Sequence, residues 1–235
     1  MEKDGRMRNT QGAWLRCGLT LAAAAGILTQ CVGASAQGKK TAAFDVTTVQ
    51  SGTGVQVTVN SKVWITPTQA RAEVKDPLNG EVIFLVTNGF FYQLDPKSKR
   101  GIKGPLPAQL SKSKDNFDLL MGQFSFDASN ALKVAEKTRT DTVSGYKCDV
   151  YEKSATQGDA SRSLAIWMPQ TLSPKFPIKV VKKDKVNKPG ASVEQSVDIT
   201  LSNIKVNTAI PASVFAVPTG YKITTGKPKA PKAGK

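Results

Sequence analysis

Between Val63 and Lys99, short apolar runs alternate with turn residues. The run Val82 to Val86 is apolar at every position, whereas an antiparallel strand with one wet face alternates apolar and polar residues. Something must therefore cover both faces of this strand. Asn88-Gly89 follows, the strongest signal in the chain for a two-residue type I′ hairpin, and such a loop fixes the pairing of its flanking strands. With Thr87 opposite Phe90, the side chains of Ile83, Leu85, Phe90, Tyr92 and Leu94 share one face. Val82, Phe84, Val86 and Phe91 share the other, beside Gln93 and Asp95. The first face is almost wholly apolar and demands a core or an apolar cavity. The second is mixed and fits beneath a helix or against a second layer.

The flanking sequence extends the sheet. Val55, Val57, Val59, Ser61, Val63 and Ile65 fall on one side of a long alternating strand that Pro67 ends. Arg71 to Lys75 begins a shorter strand, and Asp76-Pro77 and Asn79-Gly80 turn the chain into the hairpin, so four strands are sequential neighbours. After Asp95-Pro96 the pattern breaks at Gly101, Gly104, Pro105 and Pro107. Phe117, Leu120, Met121 and Phe124 then follow i, i+3, i+4, i+7 spacing, which predicts a short amphipathic helix across the sheet, with Ser111, Ser113 and Asp115 as candidate caps. Strands resume over 131–140, 145–153, 162–168, 176–186 and 193–206. The last shifts phase at Asn203, which predicts a bulge or bend.

At 235 residues with 40% hydrophobic positions, the chain can bury a real core. Arg6, Arg8 and Arg16 precede the apolar stretch Leu19 to Val32, and Ala34-Ser35-Ala36 follows, so residues 1–36 read as a secretory leader cut after Ala36. An uncut anchor is the competing reading, although the apolar stretch is shorter than the roughly 20 residues a spanning helix needs. Gln30 before Cys31 is not the small residue that lipid attachment expects. Residues 37–224 then form one domain, and 225–235, rich in Lys and Pro, form a disordered tail.

Cleavage removes four basic residues (Lys3, Arg6, Arg8, Arg16) and two acidic ones (Glu2, Asp4) from totals of 33 and 18, which leaves a net charge of +13. An exported protein of this charge attracts anionic membrane or cell-wall surfaces; a solvated lysine-rich surface is the alternative. Cleavage also leaves Cys148 as the single cysteine, so no intramolecular disulfide forms. Cys148 is either a nucleophile or dimer-forming thiol, or a small buried hydrophobe in its strand.

The chain has no histidine, which removes Ser-His-Asp and Cys-His catalysis and the commonest transition-metal ligand. Scattered acids form no calcium loop, and Gly52-Thr53-Gly54 is a turn rather than a phosphate loop. Neither metal nor cofactor is expected. Ser111-Lys112-Ser113-Lys114 leaves a Ser/Lys hydrolase formally open, without the sharp turn that presents a nucleophile. The charges are not interleaved with stacking aromatics, so nucleic acid is not an expected partner.

Taken in order, the strand ending Val63-Trp64-Ile65, Arg71-x-Glu73, Asn88-Gly89, Tyr92-x-Leu94-Asp95-Pro96, Gly145 to Tyr151, Phe176 to Lys179 and Ile210 to Phe215 resemble the LolA-like and LolB-like lipoprotein-carrier superfamily. The resemblance implies an α+β fold: a strongly curved antiparallel sheet forming an unclosed half-barrel, with helices covering its concave face. It implies an extracytoplasmic, non-enzymatic, monomeric carrier for lipid or an acylated protein. Val57, Val63, Ile65, Ile83, Leu85, Phe90 and Tyr92 would line the cavity, and Phe117, Leu120, Met121 and Phe124 would form the lid. Arg71 matches the position that latches the lid in that family; an exposed strand charge facing Glu73 is the alternative. The rival function is a cationic envelope module with a filled core that binds anionic wall or membrane polymers.

Overall fold

A computed structural model describes residues 40–52, 54–106, 110, 115–124, 126, 128–188 and 191–226. The expected leader, the serines and lysines at 111–114, and the Lys-rich stretch from 227 lie outside the described residues. The described residues belong to one compact unit.

Twelve strands make one sheet: β1 (Ala42–Gly52), β2 (Val55–Ile65), β3 (Ala70–Asp76), β4 (Gly80–Thr87), β5 (Phe90–Asp95), β6 (Arg100–Pro105), β7 (Glu136–Val143), β8 (Tyr146–Gln157), β9 (Ala160–Pro169), β10 (Lys179–Lys188), β11 (Ala191–Val206) and β12 (Lys222–Thr225). Their order across the sheet is β12-β6-β5-β4-β3-β2-β1-β11-β10-β9-β8-β7. The two edges do not pair, so the sheet is unclosed. Among the described residues there are also helix α1 (Phe117–Phe124), helix α2 (Ser129–Leu132) and a 3-10 turn at Ala212–Phe215.

The hairpin forms as its turn residues require. Asn88 and Gly89 both take positive φ, 51° and 77°, the type I′ signature, and Thr87 pairs with Phe90. The phase shift near Asn203 is also realised. The β1–β11 register slips between Ala43 and Asp45, Asn203 takes φ 52°, and its Nδ2 donates to Asp45 Oδ2 at 2.6 Å.

The structure departs from the sequence expectation in four places. Residues 131–135 are not strand, because Ala128, Ala131 and Leu132 carry helical spacing and pack with Ile166 and Val180. Strand β6 forms through the Gly/Pro-interrupted stretch, and β1 precedes the first expected strand. The sheet is mixed rather than wholly antiparallel, because β12 lies parallel to β6 and pairs Ile223 with Gly101.

Gly101 is required for that last pairing. A Cβ at this position would sit 2.5 Å from Leu94 Cδ2 and 2.8 Å from Ile223 Cδ1, closer than side chains tolerate. Gly101→Val is therefore expected to displace β12 at a cost of about 1–3 kcal/mol. Hydrogen exchange should accelerate at residues 222–225 first. Unchanged protection there would show that β12 does not depend on this close approach.

Candidate functional site

The two faces of the β4–β5 hairpin belong to different hydrophobic clusters. Val86, with half-buried Val82, Phe84 and Phe91, joins the largest cluster, which includes Val59, Val63, Ile65, Ala70 and Ala72 on the sheet and Phe117, Leu120 and Met121 of α1. This is the helix face. Ile83, Leu85, Tyr92 and Leu94 form a second cluster with Phe215, flanked by Trp64, Ile210, Val214, Val217, Tyr221 and Ile223. This is the strap face, closed by the chain's own C-terminal segment.

The expected lining is thereby divided. Val57, Val63 and Ile65 share a cluster with the lid residues Phe117, Leu120, Met121 and half-buried Phe124, whereas Ile83, Leu85 and Tyr92 lie on the opposite side of the sheet. Register explains the correction. Val63 pairs with Ala72, and Ala72 with Phe84, while Trp64 pairs with Arg71, and Arg71 with Leu85. Side chains facing the same way are odd-numbered on β2 but even-numbered on β4, and a parity change moves a whole strand's side chains to the other face. Phe90 lies at the margin of the strap face, 36% exposed, with its ring edge-on to Tyr92 at 6.4 Å.

The strap face is a finished core. Leu85 and Leu94 are fully buried and Phe215 is 3% exposed, so this greasy face, for which the sequence left a core or a cavity open, is covered by protein. Arg71 fastens this cover. Its Nη1 donates to the Val214 carbonyl at 3.1 Å, and its Nε and Nη2 each reach Glu73 Oε1 at 2.8 Å. Arg71 thus latches the C-terminal strap, not α1, and it does so while paired with Glu73. It faces that way because it shares a face with Trp64 and Leu85.

The helix face is covered differently. Helix α1 has eight residues, and its start is pinned: the Asn116 N–H donates to the Pro67 carbonyl at 2.7 Å, and Asp115 Oδ1 accepts the Phe117 N–H at 3.0 Å. Lys40 lies 3.7 Å from Asp115 and 3.8 Å from Asp118. In the same cluster as this helix, the rings of Phe84 and Phe91 stack at 5.9 Å and 25°. Both are half-buried, as are Val82, Leu106 and Phe124 in the same cluster. They form an apolar shelf in the cluster that also holds the short, end-pinned helix, and sequence reasoning assigned Phe84 and Phe91 to the mixed face without seeing them as a site.

The reactive groups do not converge on this surface. Cys148 is fully buried in the main cluster, and burial pushes its thiol pKa up, which disfavours the thiolate. Among the described residues no group of three or more His, Cys, Asp and Glu side chains could hold a metal. The serine hydroxyls of Ser98, Ser144 and Ser192 bond Asp95, the Leu201 carbonyl and Asn187 respectively. Trp167 is held between cations, with Lys179 and Arg139 at 5.4 and 5.5 Å from its ring and its indole N–H on Asp141. That is a packing arrangement around an aromatic side chain.

The fold is thus an unclosed sheet with one face sealed by a strap and the other under a short helix. No family model and no curated protein matches the chain. Among solved structures it is similar to an uncharacterized conserved protein from Thermus thermophilus, with 10% identity and TM-score 0.44, covering 80% of this chain and 90% of that one. It is similar to the lipoprotein LppX of Mycobacterium tuberculosis, with 13% identity, TM-score 0.38 and coverage of 71% and 88%. A third similar structure is the MucA/MucB complex of Pseudomonas aeruginosa, with 10% identity and TM-score 0.42, where 79% of this chain spans 59% of the matched one.

Two outcomes follow from the covers. Arg71→Ala removes a charge-assisted bond to the Val214 carbonyl, so proteolysis within 207–226 should rise while α1 stays protected; equal loosening of α1 would contradict the assignment of the latch. In the native protein at pH 8 Cys148 should react with a thiol reagent far more slowly than in denaturant. Equal rates would show an accessible thiol.

Proposed function

We propose that this chain is an extracytoplasmic, non-enzymatic protein that binds lipid or the acyl chains of an acylated protein on its helix face. The observation that carries this reading is the half-buried shelf of Phe84 and Phe91 in the cluster that holds α1. An apolar chain laid there gains by burial of apolar surface, roughly 0.8 kcal/mol per methylene. Helix α1 is short and fastened at its start, so it can rise from Val59 and Val63 without disturbing the strap, which draws on separate contacts. The leader-like residues 1–36 supply the export part of the reading, and the absence of histidine from the chain favours binding over acid–base chemistry.

Binding of a fluorescent long-chain fatty acid to the mature chain tests the proposal, with native mass spectrometry as a second readout. Phe84→Asp and Phe91→Asp should each weaken binding at least tenfold, because a carboxylate on the shelf must be desolvated. Phe90→Ala, on the other face, should leave affinity within twofold. No binding by the wild-type chain, or equal loss in the Phe90 variant, would overturn the assignment of the helix face.

The second reading, a cationic module with a filled interior, is favoured by the burial of Phe117, Leu120 and Met121 against the sheet. It expects no fatty-acid binding and retention on anionic polymers that salt abolishes.

A further inference from the structure

The two faces of the sheet can be followed out to its β6–β12 edge. Gly101 pairs with both Leu94 and Ile223, whose side chains belong to the strap cluster. Side chains alternate along a strand, so Arg100, Ile102, Lys222 and Thr224 stand on the helix face. The pairing continues inward from there. Ile102 lies opposite Gln93, and Gln93 opposite Phe84, so half-buried Ile102 shares one row of the sheet with Phe84 and carries the apolar shelf to the edge.

The rows on either side of this one differ in character. On one side, Phe91 shares a row with Val86, Ala70 and Ile65, next to Pro67, whose carbonyl pins the start of α1. The cation at that end is already paired: Lys40 lies against Asp115 and Asp118. On the other side, Arg100 comes two residues before Ile102 and pairs with Lys222. Both are exposed, and neither enters an ion pair among the described residues, whereas Arg71, Lys75 and Lys137 each do. Asp95, opposite Arg100, is engaged by the β5–β6 turn, where it accepts the Lys97 and Ser98 N–H groups and the Ser98 hydroxyl.

The helix face thus holds a strip that is apolar towards the start of α1 and cationic at the β6–β12 edge. Between the Phe91 row and the Arg100 row lie four residues of strand, about 13 Å. The ligand that complements this strip has the same polarity: an apolar chain ending in an anion. A neutral chain leaves both cations without a partner, and a small anion leaves the shelf uncovered.

We propose that the helix face takes an anionic lipid, its carboxylate or phosphate headgroup held by Arg100 and Lys222 and its chain laid across Ile102, Phe84 and Phe91 towards the start of α1. This assignment rests on the acyl-binding reading and adds the headgroup and the direction of the chain. Only side chains take part at the edge. The Lys222 N–H stays on the Lys99 carbonyl at 2.9 Å, so β12 keeps its place when the headgroup binds.

Titration calorimetry on the mature full-length chain at pH 8, with decanoate and with decanol, tests the proposal. The wild-type chain should bind decanoate more tightly than decanol, and added salt should weaken decanoate alone. An exposed ion pair contributes up to roughly fivefold in affinity, so Arg100→Gln combined with Lys222→Gln should weaken decanoate about tenfold and leave decanol within about twofold. Lys183→Gln combined with Lys185→Gln, on β10, removes the same charge elsewhere and should leave both ligands within about twofold. Phe84→Asp should weaken decanol, which probes the shelf without the headgroup. If the edge variant leaves decanoate unchanged, or the β10 variant loses as much, the headgroup site is overturned, while a loss of decanol in Phe84→Asp keeps the acyl-binding reading. If the wild-type chain binds neither ligand, or Phe84→Asp leaves decanol unchanged, the acyl-binding reading falls and the headgroup site with it. Inorganic phosphate bound as tightly as decanoate would overturn the proposal in favour of a free anion.

Discussion

The β4–β5 hairpin is apolar on both sides, and the rest of the molecule follows from having to cover it twice. A single sheet cannot bury both faces of its own strands, so the chain supplies a cover to each. One is the C-terminal segment, which carries Phe215 into the pocket made by Ile83, Leu85, Tyr92 and Leu94 and ends as a twelfth strand on the β6 edge. The other is helix α1, whose Phe117, Leu120 and Met121 rest on the valines of β2. The covers differ in kind. The strap is tied by Arg71, by Phe215 and by a strand pairing that only Gly101 admits, whereas the helix is held mainly at its first residues.

That asymmetry supports the proposed function. A surface that must accept a ligand needs a cover that leaves at modest cost, and regions that move are drawn from the least stable parts of a fold. On the proposed reading, the sealed strap face is the rigid back against which the helix face would open. The segment that closes the second core continues into β12, whose first residue, Lys222, pairs with Arg100.

Much of this was legible in the sequence where turn chemistry is local. Asn88-Gly89 specified the hairpin and its register, Asn203 marked the bulge, and the spacing from Phe117 to Phe124 specified α1. The relation between distant strands was not legible. Pairing Val63 with Ala72 and Ala72 with Phe84 depends on the β2–β3 connection, whose length and conformation carry no such signature, and the wrong parity assigned Ile83, Leu85 and Tyr92 to the helix. Arg71 was expected to hold the helix or to face Glu73; its contacts with Glu73 and the Val214 carbonyl could be found only from the face on which it stands. Strand β6 was missed because Gly101 reads as a breaker, although its missing side chain is what lets β12 approach. Strand β1 alternates Ala42, Phe44, Val46 and Thr48 plainly enough to be read, and was overlooked beside the longer β2 pattern.

The central claim is that the helix face opens to a ligand while the strap face remains core. Hydrogen exchange followed by mass spectrometry, on the mature chain with and without a saturating long-chain fatty acid, tests it directly. The account predicts that α1 exchanges faster than the strap in the free protein, that ligand changes protection at residues 117–124 and at β4 and β5, and that residues 210–223 are unaffected. Ligand-dependent exchange centred on residues 210–223, with α1 unchanged, would contradict it.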